Sequence, residues 1–159
     1  MALNGVYYGP KCVETAPPKL LDALGAKRAL VVTGETLCNK IGVVARIEDI
    51  LKKCNVYGAT FSEVGEHTPE AGIENGVSRL REVDADILVS AARTNVQEIP
   101  DKDPGFLRHI AIPTTLSAVE YRHGAGYTNK QGDKVSVSYQ LLAPAGIILD
   151  AELTLPTPE

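Results

Sequence analysis

The sequence predicts a single α/β domain built on a mostly parallel sheet with a β-hairpin extension near the C-terminus. Short apolar runs alternate with amphipathic segments in βαβα order. The runs at Ala29 to Val32 and Ile87 to Val89 carry no polar alternation, the pattern of strands covered on both faces. Only Ala125 to Thr128 and Lys134 to Tyr139 have the spacing of a hairpin. A chain of 159 residues, 44% apolar and 23% charged, suffices for one well-packed core. No repeat, low-complexity tract or linker divides it.

Val6 to Tyr8 is expected to open the fold as a strand. Thr15 ahead of Pro17 and Pro18 reads as a helix start, with Leu20, Leu21 and Leu24 on its apolar face and Gly25 as its stop. After the strand Ala29 to Val32, Thr33 or Thr36 is placed to cap a helix in which Val43, Val44, Ile47, Ile50 and Leu51 recur at helical spacing through about Lys53. A third strand is expected near Val56 to Phe61. Thr68 and Pro69 form an N-cap and first-turn pair for a helix carrying Ile73, Val77 and Leu80 to Val83. It leads into the Ile87 to Val89 strand, and His109 to Pro113 gives the next. Val135, Val137 and Tyr139 alternate with Ser136 and Ser138, as in a half-exposed strand facing Ala125 to Thr128 across the turn-rich Asn129 to Asp133. Ala145 to Leu149 is the last apolar run, followed by a Pro-rich tail.

Net charge is −4, and the sixteen Lys and Arg are scattered, so neither nucleic acid nor an anionic membrane is an expected partner. No apolar run approaches the roughly 20 residues of a spanning helix. Met1 to Pro10 lacks the pattern of a secretory leader. Cys12, Cys38 and Cys54, odd in number and without CxxC spacing, read as reduced, mostly buried thiols. A cytoplasmic location is the expectation.

Four stretches together resemble the N-terminal domain of the iron-dependent alcohol dehydrogenases: RALVVTGETL at 28–37, EHTPEAGIENGVSRLREVDADILV at 66–89, IAIPTTLSAVEYRHGAGYT at 110–128 and LLAPAGIILDAELTLPTP at 141–158. The maleylacetate reductase branch is the most similar, since it too follows IPTTLS with an acidic residue and a GAG. The resemblance implies a Rossmann-like three-layer domain that binds NAD(P), joined in the family to a helical domain whose Asp and three His hold Fe or Zn.

Two departures from the family pattern shape the expected function. The chain ends at Glu159, where the family enters its helical domain, and His67, His109 and His123 have no ligand-like spacing, so no metal is expected. Family members follow the Ile87 to Val89 strand with a GGGS turn and a helix that holds the cofactor pyrophosphate. Here SAARTN stands in that place, and about a dozen residues separate Asn95 from His109. Ala91 and Ala92 put β-carbons where backbone would meet phosphate, and Arg93 alone is a weak substitute for an amide cradle. No dinucleotide cofactor is therefore expected.

The expected ligand crevice runs along Ser90 to Asn95 and Thr114 to Tyr127, beyond the ends of parallel strands. Thr114, Thr115 and Ser117 match family positions lining the cleft. Ser117 and Glu120 equally form a capping box, in which both side chains satisfy amides of a helix start. Tyr121 and His123 stand in a Gly-rich segment where either ring can face the cleft or solvent. Arg93, Thr94 and Asn95 occupy the other lip, or form a turn capped by Thr94 with Gln97 three residues on. Cys38 near a helix start reads as a buried thiol rather than an activated one, and His67 as a surface residue.

Two functional classes are compatible with these features. In the first, a stand-alone enzyme or binding protein of isomerase, lyase, dehydratase or cyclase type directs a carbonyl or polyene-like metabolite. Glu120, His123, Tyr121 and Arg93 are its catalytic groups; Thr94, Asn95, Thr114, Thr115, Ser117 and Tyr127 hold the substrate. In the second, the chain binds NAD(P) weakly and works with a separate metal domain. A structural remnant is a third possibility. A homodimer is expected to cover the apolar surface that the family's helical domain would shield, with Lys134 to Tyr139 as a second edge for pairing.

Overall fold

The two runs without polar alternation become the centre of the sheet: β2 (Ala29–Thr33) and β4 (Ile87–Ala91) pair in parallel and are buried at every position. The computed structural model describes residues 3–40, 42–64, 68–91, 107–115 and 124–154. With β1 (Gly5–Tyr8), β3 (Tyr57–Phe61), β5 (Arg108–Ala111) and β8 (Gly146–Leu149), these strands form a six-stranded sheet in the order β1-β8-β5-β4-β2-β3. Every pairing in it is parallel. The antiparallel hairpin of β6 (Gly124–Thr128) and β7 (Lys134–Ser138) forms a separate two-stranded sheet.

Successive strand residues point to opposite faces, which gives the sheet two cores. On one face Val31, Val89, Ile110 and Ile148 pack with α1 (Ala16–Leu24) and α3 (Val43–Lys53) through Leu20, Leu21, Val44, Ile47 and Leu51. On the other, Leu30, Val32, Ala59, Phe61 and Leu88 pack with Ile73 and Leu80 of α4 (Glu70–Glu82), and Val77 and Tyr127 lie against them. The result is the three-layer arrangement expected.

Several helix starts differ from the sequence reading. Thr15 precedes α1 but makes no capping bond; its backbone is helical because a 3-10 turn at Cys12–Glu14 runs directly into the helix, and its hydroxyl turns back to Cys12 O at 3.5 Å. Neither Thr33 nor Thr36 caps the next helix. Thr33 ends β2, and Thr36 lies within α2 (Glu35–Lys40). The single helix expected through Lys53 is two, with Gly42 at the N-cap of α3. Pro69, extended at φ −65° and ψ 147°, is itself the N-cap of α4, and Thr68 before it has φ +50°. Gly25 ends α1 as expected, in the left-handed conformation at φ +61°.

Two carboxylates close loops onto the sheet. Asp150, fully buried after β8, accepts bonds from the backbone N–H of Lys11 at 3.0 Å, Val13 at 3.1 Å and Glu152 at 3.0 Å. It thereby ties the first loop to the start of α5 (Ala151–Thr154). Gly146 gives Leu20 its place against the sheet, since a β-carbon there would lie 2.7 Å from Leu20 Cδ1 and that side chain would have to shift. The other clasp is Asp86, which accepts from Lys27 N and Arg28 N ahead of β2.

The cysteines are free but half-buried rather than buried. Lys134 to Tyr139 does not lie at an edge of the main sheet; β1 and β3 are its edges. No helix among the described residues is long and apolar enough to cross a membrane.

Candidate functional site

All six strands of the main sheet run the same way, so their carboxyl ends share one side of the molecule. From β2 the chain passes outward to β3, then crosses back to β4 and continues through β5 to β8. The direction of winding reverses between β2 and β4. In open α/β sheets such a reversal leaves a crevice outside the carboxyl ends of the two strands. Its described borders are Gly34 after β2 and Ala91 at the end of β4.

The floor of this crevice is closed by Thr33, which the sequence offered, with Thr36 as the alternative, as a helix cap. Thr33 is fully buried, and its hydroxyl donates to Ala91 O at 2.9 Å. A hydroxyl at the end of an otherwise apolar strand was the available signal for this clasp. It draws the last residues of β2 and β4 together just before the chain leaves the sheet.

One strand further on, Ser90 of β4 and His109 of β5 meet on the α4 side of the sheet, with Ser90 Oγ 2.5 Å from His109 Nε2. Both are buried, and Nδ1 of His109 has no hydrogen-bond partner among the described residues. Burial pushes the imidazole down to a pKa of about 4, so the ring is neutral at pH 7. Ser90 was expected to offer a donor to the crevice. Its hydroxyl is instead spent beneath it, because the strand continues through Ala91 and keeps the side chain within the layer facing α4.

The ladder extends past β5 through the bond from Ile112 N to Ser90 O at 2.8 Å. This carries the chain to Thr114, buried, and Thr115, half-buried, on the carboxyl side of the sheet as expected; both make interactions there. Tyr127 stands in β6 with its ring against the α4-side core. The expected site residues Arg93, Thr94, Asn95, Ser117, Glu120, Tyr121 and His123 lie outside the described residues, as do His67 and all but Ser90 and Ala91 of the stretch in the place of the GGGS turn.

Among the described residues no group of three or more His, Cys, Asp or Glu is placed to hold a metal ion. His109, the one histidine among them, is committed to Ser90. The iron implied by the resemblance therefore finds no donor set in the described part of the chain. For a dinucleotide the question falls on the stretch after β4, where no glycine occurs from Ser90 to Pro104.

Comparison with known proteins agrees with this architecture. The family model for iron-containing alcohol dehydrogenases matches residues 4–91. The dehydrogenase FUM7 of Gibberella moniliformis is 24% identical over 172 residues, covering 86% of this chain and 40% of its own length. An alcohol dehydrogenase from Oenococcus oeni superposes with a TM-score of 0.85 at 21% identity, over 99% of this chain and 47% of that one. Maleylacetate reductase from Agrobacterium tumefaciens gives 0.80 at 24% identity, over 99% and 44%. The chain thus spans less than half the length of these relatives.

Proposed function

This chain belongs to the iron-containing alcohol dehydrogenase family, and from that premise we propose that it is a small-molecule enzyme or binding protein that has left hydride transfer. Its ligand is a carbonyl or polyene-like metabolite held at the carboxyl edge of the sheet. The observation that carries this reading is the glycine-free run from Ser90 to Pro104, directly after a strand that borders the crevice. A pyrophosphate needs several backbone N–H groups at close approach, which β-carbons obstruct. Polar side chains in the same place suit a smaller, neutral or singly charged ligand.

In this proposal Glu120 and His123 transfer protons, while Tyr121 and Arg93 orient or polarise a carbonyl oxygen. Thr94, Asn95, Thr114, Thr115, Ser117 and Tyr127 position the substrate. Isomerase, lyase, dehydratase and cyclase chemistry each require no more than this. The free thiols fit a reducing, cytoplasmic setting. Edge strand β1, with Val6 and Tyr8 exposed, offers a surface for a homodimer.

A second reading, an NAD(P)-binding component that works with a separate metal domain, is favoured by one observation. The strand reversal between β2 and β4 is where doubly wound folds hold dinucleotides. Titration calorimetry with NADH and NADPH separates the two. The proposal predicts no binding in the micromolar range, and a low-micromolar Kd for either would replace it with the second reading. Once a substrate is known, Glu120→Gln and His123→Ala are expected to lower turnover with the fold intact; unchanged rates in both would remove these residues from the mechanism.

A further inference from the structure

The hairpin β6–β7 is the one sheet among the described residues that stands apart from the central six strands. A two-stranded hairpin alone is at best marginally stable in water, so its order depends on what it docks against. Here that partner is the start of α4. Tyr127 packs against the α4-side core, and Thr128 N donates to Thr68 O at 3.0 Å. At the tip, Lys130 N donates to a Glu70 carboxylate oxygen at 3.1 Å, and Lys130 Nζ lies 3.0 Å from Glu74 and 3.8 Å from Glu70.

We propose that this hairpin is a strap that opens and closes as a unit, with Lys130 as its electrostatic latch on Glu70 and Glu74. The helix after β3 begins at the carboxyl edge of the sheet, so the strap is fastened on the crevice side of the molecule. Residues 116–123 run directly into β6. Opening the strap would therefore move Gly124, the first described residue after the stretch bearing Glu120, Tyr121 and His123, and this last consequence alone rests on the proposed function. The bond to Glu74 raises the pKa of the Lys130 ammonium, so the latch is charged throughout the neutral range. Because Lys130 is largely exposed, the latch is also open to screening by salt.

Hydrogen exchange read by mass spectrometry tests the strap without any ligand. In 0.05 M salt, amides of residues 124–138 are expected to exchange through openings that leave β2 and β4 protected. Lys130→Ala should speed hairpin exchange about two- to fivefold, as expected for loss of a surface ion-pair cluster, without changing β2 or β4. Glu74→Gln should act in the same direction, and 0.5 M salt should narrow the difference from wild type. Hairpin amides that exchange only together with β2 and β4, or identical hairpin rates in wild type and Lys130→Ala, would overturn the proposal. Either result would leave the small-molecule reading of the crevice untouched.

Discussion

Replacing Asp150 with alanine is expected to destabilise the fold by about 3 to 5 kcal/mol, because three backbone N–H groups lose a buried, charged acceptor at once. The three bonds span the first loop and the start of α5. Their loss therefore unfastens β1 and the 3-10 turn ahead of α1 together with the end of β8. In a chain of this size the change corresponds to a drop on the order of 10 °C in the melting midpoint. Urea denaturation of wild type and Asp150→Ala provides the measurement. A midpoint within experimental error of wild type would show that water replaces the carboxylate without cost, contrary to its complete burial.

Acid should weaken the fold through His109. The folded-state pKa is about 4 against an ordinary 6.5, so below pH 6.5 the unfolded chain takes up a proton that the folded chain refuses. The contribution is fully present above pH 6.5 and is lost as pH falls toward 4. Between pH 7.5 and 5 the expected loss is about 2 kcal/mol, at roughly 1.4 kcal/mol per unit of pH below 6.5. Carboxylates also titrate near the lower end of this range, so the informative quantity is a difference. The double variant Ser90→Ala, His109→Leu removes both partners of the buried bond and should lack this component of the pH slope. Identical slopes in the two proteins would mean that His109 is protonated in the fold as readily as in the unfolded chain.

The order of elements was legible because burial on both faces leaves a direct mark on sequence. Val31, Val89 and their neighbours could not be apolar without interruption in a half-exposed strand. The alternation at Lys134–Ser138 marked the hairpin equally well. Helix starts were less legible, since hydroxyl residues serve several ends. Thr33 bonds across to Ala91, Thr15 continues an existing turn, and Thr68 takes a left-handed backbone ahead of Pro69. The docking of the hairpin on α4 was hidden as well. Lys130 and Glu70 are 60 residues apart, and nothing local to either predicts their contact.

For the candidate site, the sequence pointed to the carboxyl edge through the polar residues after β4 and β5. It did not show that β2 supplies the other lip, because the reversal of winding is a property of strand order rather than of any local pattern. Ser90 illustrates the same limit. A serine at a strand end looks available to a ligand until the neighbouring strand brings His109 within 2.5 Å of it.

If the crevice at the carboxyl ends of β2, β4 and β5 holds a small carbonyl compound rather than a dinucleotide, ligands themselves should reveal it. Crystals of the chain soaked with a library of small aldehydes, ketones and enones, and in parallel with NADH, put the two occupants in direct competition for one place. Fragments are expected beyond Thr33, Ala91 and Ala111, in contact with residues of the 90–95 or 114–127 stretches, with no NADH bound. Fragments found only elsewhere, such as the groove of about 470 Å³ between Glu14, Arg46 and Lys53, or NADH lying across the ends of β2 and β4, would contradict the proposed function.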